Sequence, residues 1–232
     1  MNTLGILRLD RGLPPGTPAA DPPPGSILNP ATFEFPIISE VAIGAGVERV
    51  VKGDATLEPA FVAAAHRLVD RGAVAISSTC GFSIRHQRAL SQAVPVPVVT
   101  SNLLLLPLLL RQLPTKAKIA VLTYDSRHCG EDLFDLESPG DRSRIVVGGI
   151  EGGKFWHDEL KTPPPPIDVH SIEIDVAACI TRLRHSNPEI AAILFECAAF
   201  PSVTASIRSQ SRIPVYDITD LCRMTMASVA VS

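Results

Sequence analysis

An apolar run that ends in a cysteine occurs twice in this chain, and each copy reaches a Pro-Val pair at the same distance. Ala73-Val-Ala-Ile-Ser-Ser-Thr-Cys80 leads to Pro97-Val98, and Ile190-Ala-Ala-Ile-Leu-Phe-Glu-Cys197 leads to Pro214-Val215. Both intervals are 17 residues, and the copies are offset by 117. At that offset residues 60–69 lie over 177–186 and residues 73–78 over 190–195. A duplicated strand–Cys–helix–strand unit predicts two similar halves with one thiol each, facing a shared cleft from opposite sides. Such an arrangement suits moving a proton on and off carbon without a cofactor.

The 232 residues are enough for one large domain or two lobes of about 110 residues each. The expected division is 1–115, carrying Cys80, and 116–232, carrying Cys197, with the C-terminal segment free to pack on the first lobe. Apolar residues at 46% and charged residues at 19% are a normal globular balance. A net charge of −3 with scattered Lys and Arg provides no footprint for nucleic acid or an anionic membrane. Leu103–Leu110, interrupted by Pro107, is far short of the roughly 20 residues of a bilayer span and reads as a buried helix or a subunit contact. The start, Met1 to Asp10, lacks a basic segment and an apolar core, so no secretory signal is expected. Five cysteines with no CxxC pair, and six dispersed histidines, point to free thiols in a reducing cytoplasm, with neither a disulfide framework nor a metal site. No GxGxxG follows a strand, so no nucleotide cofactor is implied.

Strands are expected at 4–9, 35–38, 41–47, 73–78, 96–100, 118–123, 145–149, 190–195 and 213–217. Helices are expected at 57–70, 83–92, 171–184, 201–210 and 219–229, with a helix and loop within 125–144. In 57–70, Leu57, Phe61, Ala64, Ala65 and Leu68 recur at spacings of three and four, the period of one buried helical face. Strands alternating with helices predict parallel sheets with crossover helices. The fold class is therefore α/β: two pseudo-symmetric Rossmann-like lobes with an active-site cleft between them. The Pro- and Gly-dense stretch 11–33, which includes Pro14-Pro15-Gly16, should be an irregular cleft wall, because loops at strand carboxyl ends surround ligands in such sheets. Gly148-Gly149 and Gly152-Gly153 are expected in a flexible loop near the cleft, and His86 on a solvated helix face.

Cys80 and Cys197 each follow a strand and precede a helix, where backbone donors and the helix dipole should lower the thiol pKa. Cys129, Cys179 and Cys222 lack that setting and read as structural. Thr79, Ser101, Asn102, Thr123 and Tyr124 are candidate donors to substrate. Glu196 could tune the Cys197 thiol or bind a substrate ammonium, and Asp10 could reach the site from the end of the first strand.

Ser78-Thr-Cys80-Gly-Phe82 and Phe195-Glu-Cys197-Ala-Ala-Phe200-Pro201 resemble the two cysteine motifs of the aspartate/glutamate/hydantoin racemase superfamily. Gly5-Ile-Leu-Arg-Leu-Asp10, Asn29-Pro-Ala-Thr-Phe33 and Ile213-Pro-Val-Tyr-Asp-Ile218 resemble one branch of it, a branch similar to algal dimethylsulfoniopropionate lyases. The resemblance implies a cofactor-independent racemase or epimerase of a small carboxylate, commonly an oligomer, with Cys80 and Cys197 exchanging the α-proton. It also allows a lyase, isomerase or decarboxylase in the same cleft, dimethylsulfoniopropionate-type elimination included, or a non-catalytic ligand-binding relative. Backbone N–H groups after each cysteine, around Gly81, Phe82 and Ala198, would hold the substrate carboxylate. Racemases usually carry Asn-Thr after the first cysteine and Thr after the second. Gly81-Phe82 and Ala198-Ala199 stand there instead, which implies a less polar cleft.

Overall fold

The computed structural model describes residues 2–13, 17, 21–161 and 163–229; the expected loop at Pro14-Pro15-Gly16 lies outside them. Two four-stranded sheets form, each entirely parallel. The first contains β1 (Thr3–Arg8), β2 (Ile37–Val41), β3 (Ala73–Ser78) and β4 (Val98–Val99) in the order β2-β1-β3-β4. The second contains β5 (Lys118–Thr123), β6 (Ile145–Gly149), β7 (Ile190–Phe195) and β8 (Val215–Tyr216) in the order β6-β5-β7-β8. Even the irregularities match. The register shifts between Thr3 and Leu4 where β1 meets β3, and between Lys118 and Ile119 where β5 meets β7. The two expected Rossmann-like lobes are present.

The repeated Pro-Val now has a physical meaning. Proline offers a carbonyl but no N–H, and in both lobes that carbonyl opens the edge pairing. Ile76 donates to the Pro97 carbonyl at 2.9 Å, and Ile193 to the Pro214 carbonyl at 2.8 Å. β4 is shorter than 96–100 because Pro95 and Pro97 remove donors from that run; β8 is shorter than 213–217 in the same way.

The expected strand at 41–47 does not form. Gly44, at φ +79°, reverses the chain as only glycine does without strain, and α1 (Val47–Val51) follows. α2 (Glu58–Asp70) forms as its spacing predicts, burying Phe61, Ala64, Ala65 and Leu68 and ending before Gly72 at φ +89°. The helix expected at 83–92 is a 3-10 turn, Gly81–His86, continuing into α3 (Gln87–Ala93). His86 is not on a solvated face: it is buried and stacked on Phe61 at 4.6 Å between ring centres. Burial accordingly holds its imidazole pKa below the usual value.

The leucine run forms a 3-10 turn, Asn102–Leu105, and α4 (Leu106–Gln112), with Leu104 and Leu108 outward and the other leucines of the run buried. Between β5 and β6 the chain makes a 3-10 turn, Glu131–Leu133, and the single turn α5 (Pro139–Arg142). Gly148-Gly149 ends β6, which spans the strand expected at 145–149, and does not form the expected loop. A Cβ at Gly148 would come within 2.7 Å of the Cys179 sulfur and of Leu183, so its bareness lets α7 (Val169–Ser186) lie close on the sheet. α6 (Lys154–Glu159) precedes α7 and was not anticipated. α8 (Thr204–Ser211) follows a 3-10 turn, Phe200–Val203.

Each lobe lends its last segment to the other. The turn Asn102–Leu105 touches β7 of the second lobe, while α9 (Ile218–Val229) packs on β3 and β4 of the first. Arg223 donates to the Thr32 carbonyl at 2.7 Å, and Asn2 to the Val229 carbonyl at 2.8 Å. Among the described residues no helix is long and apolar enough to cross a membrane.

Phe61 is fully buried between α2 and the turn after Cys80. Phe61→Ala should therefore destabilise the chain by about 3–5 kcal/mol, read as a shifted midpoint in urea denaturation.

Candidate active site

The same ladder bond places both cysteines. Thr79 N–H donates to the Leu7 carbonyl at 2.9 Å, and Glu196 N–H donates to the Leu122 carbonyl at 2.8 Å. Each bond extends its sheet by one residue, so Cys80 and Cys197 stand at equivalent sheet ends. Both are free, half-buried thiols on one cavity of about 440 Å³, a size that suits a small ligand. The walls are largely apolar, with Leu9, Ile27, Leu28, Val47, Val51, Phe82, Ala198 and Ala199 among them.

The thiols are not acidified. Burial, followed by the charge of Glu196, pushes the Cys80 thiol up to about 12, outweighing the Phe82 and Ser83 N–H groups directed at its sulfur. Cys197 is raised in the same way, by burial first and Glu196 second, against one N–H from Ala199. The expected lowering at a helix start fails because burial outweighs the few backbone N–H groups that reach each sulfur. Of the N–H groups expected to hold a substrate carboxylate, that of Phe82 is directed at the Cys80 sulfur.

Glu196 is the group that sequence alone could not orient. Only 1% exposed, it lines the cavity floor. Thr123 Oγ1 donates to its Oε2 at 2.7 Å, and its Oε1 has no hydrogen-bond partner among the described residues. A Cβ at Gly81 would collide with the Glu196 carbonyl and carboxylate. The missing Asn of the racemase motif is thus explained: Glu196 occupies the space such a side chain needs. Burial pushes its carboxyl up to about 7, offset partly by the Thr123 hydrogen bond and the Arg85 charge.

Thr79, Gly81, Phe82, Tyr124, Glu196 and Ala198 line the cavity with the two cysteines. Thr79 Oγ1 accepts from Leu9 N–H at 3.4 Å, and the Tyr124 hydroxyl donates to the Trp156 carbonyl at 3.0 Å. Burial and then Glu159 raise that phenol's pKa, so it stays protonated. Four expected contacts are corrected. Asp10 faces away, accepting from Gly44 N–H at 2.8 Å and Gly12 N–H at 2.9 Å, and these bonds hold its carboxyl below the usual range. Ser101 caps its own turn by accepting from Leu103 N–H at 3.3 Å. Asn102 is fully buried beside it, and neither lines the cavity. Thr123 is wholly buried and reaches the site only through Glu196. Phe200, outside these four, packs edge-on against Phe195 at 5.4 Å between ring centres.

Arg11 and Glu159 were not anticipated. Both line the cavity, and Arg11 donates from its two terminal nitrogens to both Glu159 oxygens at 2.8 Å. Burial disfavours the guanidinium charge, but Glu159 more than compensates and its pKa is raised. The pairing spans 148 residues, so no local spacing could reveal it. The stretch 11–33 does supply cavity wall, through Arg11, Leu13, Thr17, Ser26, Ile27 and Leu28, and the run 163–167 supplies more of it. Among the described residues no group of three or more His, Cys, Asp or Glu is placed to hold a metal ion.

The Glu196 proton has a thermodynamic signature. Its folded pKa, about 7, lies above the ordinary 4.5, so the folded chain keeps a proton that the unfolded chain releases. Its stabilising contribution is full below pH 4.5 and is lost as pH rises to about 7. Glu196→Gln should gain stability over wild type at pH 8 but not at pH 4, by up to roughly 3 kcal/mol, measured by urea denaturation.

No protein-family model matches the chain. It is 28% identical over 222 residues to a dimethylsulfoniopropionate lyase of Durusdinium sp. clade D, covering 93% of this chain and 71% of that protein. It is 25% identical over 244 residues to dimethylsulfoniopropionate lyase 3 of Emiliania huxleyi, covering 98% of this chain but only 60% of that protein. Among solved structures, allantoin racemase from Klebsiella pneumoniae superimposes with a TM-score of 0.63 at 13% identity, covering 99% of this chain and 88% of that one. Glutamate racemase from Francisella tularensis, in complex with D-glutamate, gives 0.57 at 14% identity, covering 98% and 80%. A variant of arylmalonate decarboxylase gives 0.54 at 17% identity, covering 93% and 87%. The chain therefore has the aspartate/glutamate/hydantoin racemase fold and, along nearly its whole length, is similar to the dimethylsulfoniopropionate lyases.

Proposed function

We propose that the chain is a cofactor-independent lyase that removes the proton α to a small carboxylate and expels a β-sulfonio group. The observation carrying this reading is the pair of equivalent cysteines, one from each lobe, on a single largely apolar cavity. The similarity to dimethylsulfoniopropionate lyases over 93–98% of the chain supports the leaving group.

In this mechanism a thiolate of Cys80 or Cys197 takes the α-proton and becomes a thiol. The C–H electrons form the new carbon–carbon double bond, and the C–S electrons leave with sulfur. The products are an unsaturated carboxylate and a neutral sulfide. A buried thiol is a poor acid, and its thiolate is correspondingly a strong base, which suits a weakly acidic C–H bond. A sulfonium cation beside the sulfur favours the thiolate that burial and Glu196 disfavour. The apolar wall takes up the neutral sulfide, and Glu196, with a pKa of about 7, can pass the proton onward.

Racemisation at the same carbon is the second reading, favoured by the presence of a second thiol on the same cavity. It requires that thiol to return a proton to the opposite face before any bond to the β-carbon breaks.

Incubation with dimethylsulfoniopropionate should release dimethyl sulfide into the headspace. At least one of Cys80→Ala and Cys197→Ala should lower the rate by roughly a hundredfold to ten-thousandfold, the scale of acid–base catalysis. Full turnover in both variants would remove the thiol mechanism. No sulfide, with solvent deuterium entering the α-position of a recovered carboxylate, would favour racemisation. Because the Cys80 thiol sits at about 12, its alkylation by iodoacetamide in the free protein should be slower at pH 7.5 than that of a simple thiol. The rate should still be climbing above pH 9, as mass spectrometry of the labelled cysteine would record.

A further inference from the structure

Four side chains besides the thiols and Tyr124 bring ionisable groups to the cavity wall: Arg8, Arg11, Glu159 and Glu196. Two of them close on each other across the cleft. Arg11 comes from the loop after β1 in the first lobe, and Glu159 ends α6 in the second. Their side chains are only 26% and 15% exposed. A half-buried pair of this kind is hard to break one-sidedly, because the abandoned partner keeps its charge without its neighbour.

That constraint decides what can enter. A simple carboxylate that takes the Arg11 fork leaves Glu159 unpaired. A simple cation that takes Glu159 leaves Arg11 unpaired. Only a ligand carrying both charges compensates both groups at once. We propose that Arg11 and Glu159 are the specificity-determining residues of this cavity, an ion pair that a zwitterionic substrate splits, its carboxylate going to Arg11 and its onium group to Glu159. The inference rests on the reading of this cavity as the reaction site, but it concerns binding and holds whether the bound molecule then eliminates or racemises.

The exchange also links binding to chemistry. Glu159 acts on both thiols, raising the pKa of Cys80 and of Cys197. An onium group that takes Arg11's place on Glu159 keeps that carboxylate compensated, and the closer its charge lies to a sulfur the more it favours thiolate. The free protein keeps its sulfurs protonated, and the substrate itself makes one of them basic.

Calorimetry with three probes tests the proposal: propionate, tetramethylammonium and 3-(trimethylammonio)propanoate. The wild-type chain should bind the zwitterion at least roughly tenfold more tightly than either single ion. Glu159→Gln should bind propionate more tightly than wild type and lose most of the zwitterion preference. Arg11→Gln should lose propionate and improve for tetramethylammonium, while Arg11→Lys retains part of the propionate binding. Arg8→Gln should leave the order of the probes unchanged. Equal wild-type affinity for the three probes would overturn the proposal without any variant, and thermal melting confirms that each variant is folded. A Glu159→Gln profile like wild type, or a loss of propionate binding in Arg8→Gln instead of Arg11→Gln, would also overturn it. Zwitterion selectivity without sulfide release would defeat the lyase reading and leave the ion pair's role intact. Sulfide release without selectivity would do the reverse.

Discussion

A backbone without a side chain at position 81 holds this site together. Gly81 lies directly on Glu196, and any larger residue would collide with the carbonyl and carboxylate beneath it. The contact joins the lobes at the point where both cysteines emerge. It also fixes the polarity of the floor: Thr123 satisfies one carboxylate oxygen, and the other has no hydrogen-bond partner among the described residues. Removing a group this buried from water is costly in the charged form, which is why Glu196 holds its proton near neutrality and why the two thiols are disfavoured as anions.

The symmetry of the fold was readable because it is carried by local signals. Strand runs, the period of α2 and the Pro-Val spacing all belong to short stretches, and the structure repeats them as equivalent hydrogen bonds in both lobes. Errors arose where glycine or proline changed a run's ending. Gly44 turned an expected strand into a reversal, and the prolines beside β4 and β8 cut those strands short. His86 was misjudged because a polar residue on a helical surface ordinarily faces water; here Phe61 covers it.

The site was legible only in its sulfur atoms and their immediate neighbours. Cys80, Cys197, Thr79, Gly81, Phe82, Glu196 and Ala198 sit on or beside the motifs and do line the cavity, with Tyr124. Asp10, Ser101, Asn102 and Thr123 also sit at strand ends, yet their side chains are committed to the protein interior or to loop geometry. Arg11 and Glu159 meet only because the loop after β1 and the end of α6 converge. Polar strand-end residues are therefore good markers of where a cleft lies and poor markers of which side chains face it.

The reciprocal placement of the terminal segments governs the order of assembly. α9 is the last helix described, yet it rests on β3 and β4 and is tied to the first lobe through Arg223 and Asn2. During synthesis the first lobe leaves the ribosome long before its own cover exists. Until residues beyond Ile218 arrive, the β3–β4 surface that α9 occupies stays open to water or to chaperones. The first lobe therefore depends on a segment of the second for its cover, and the cavity that both sulfurs line draws on stretches of chain made far apart in time.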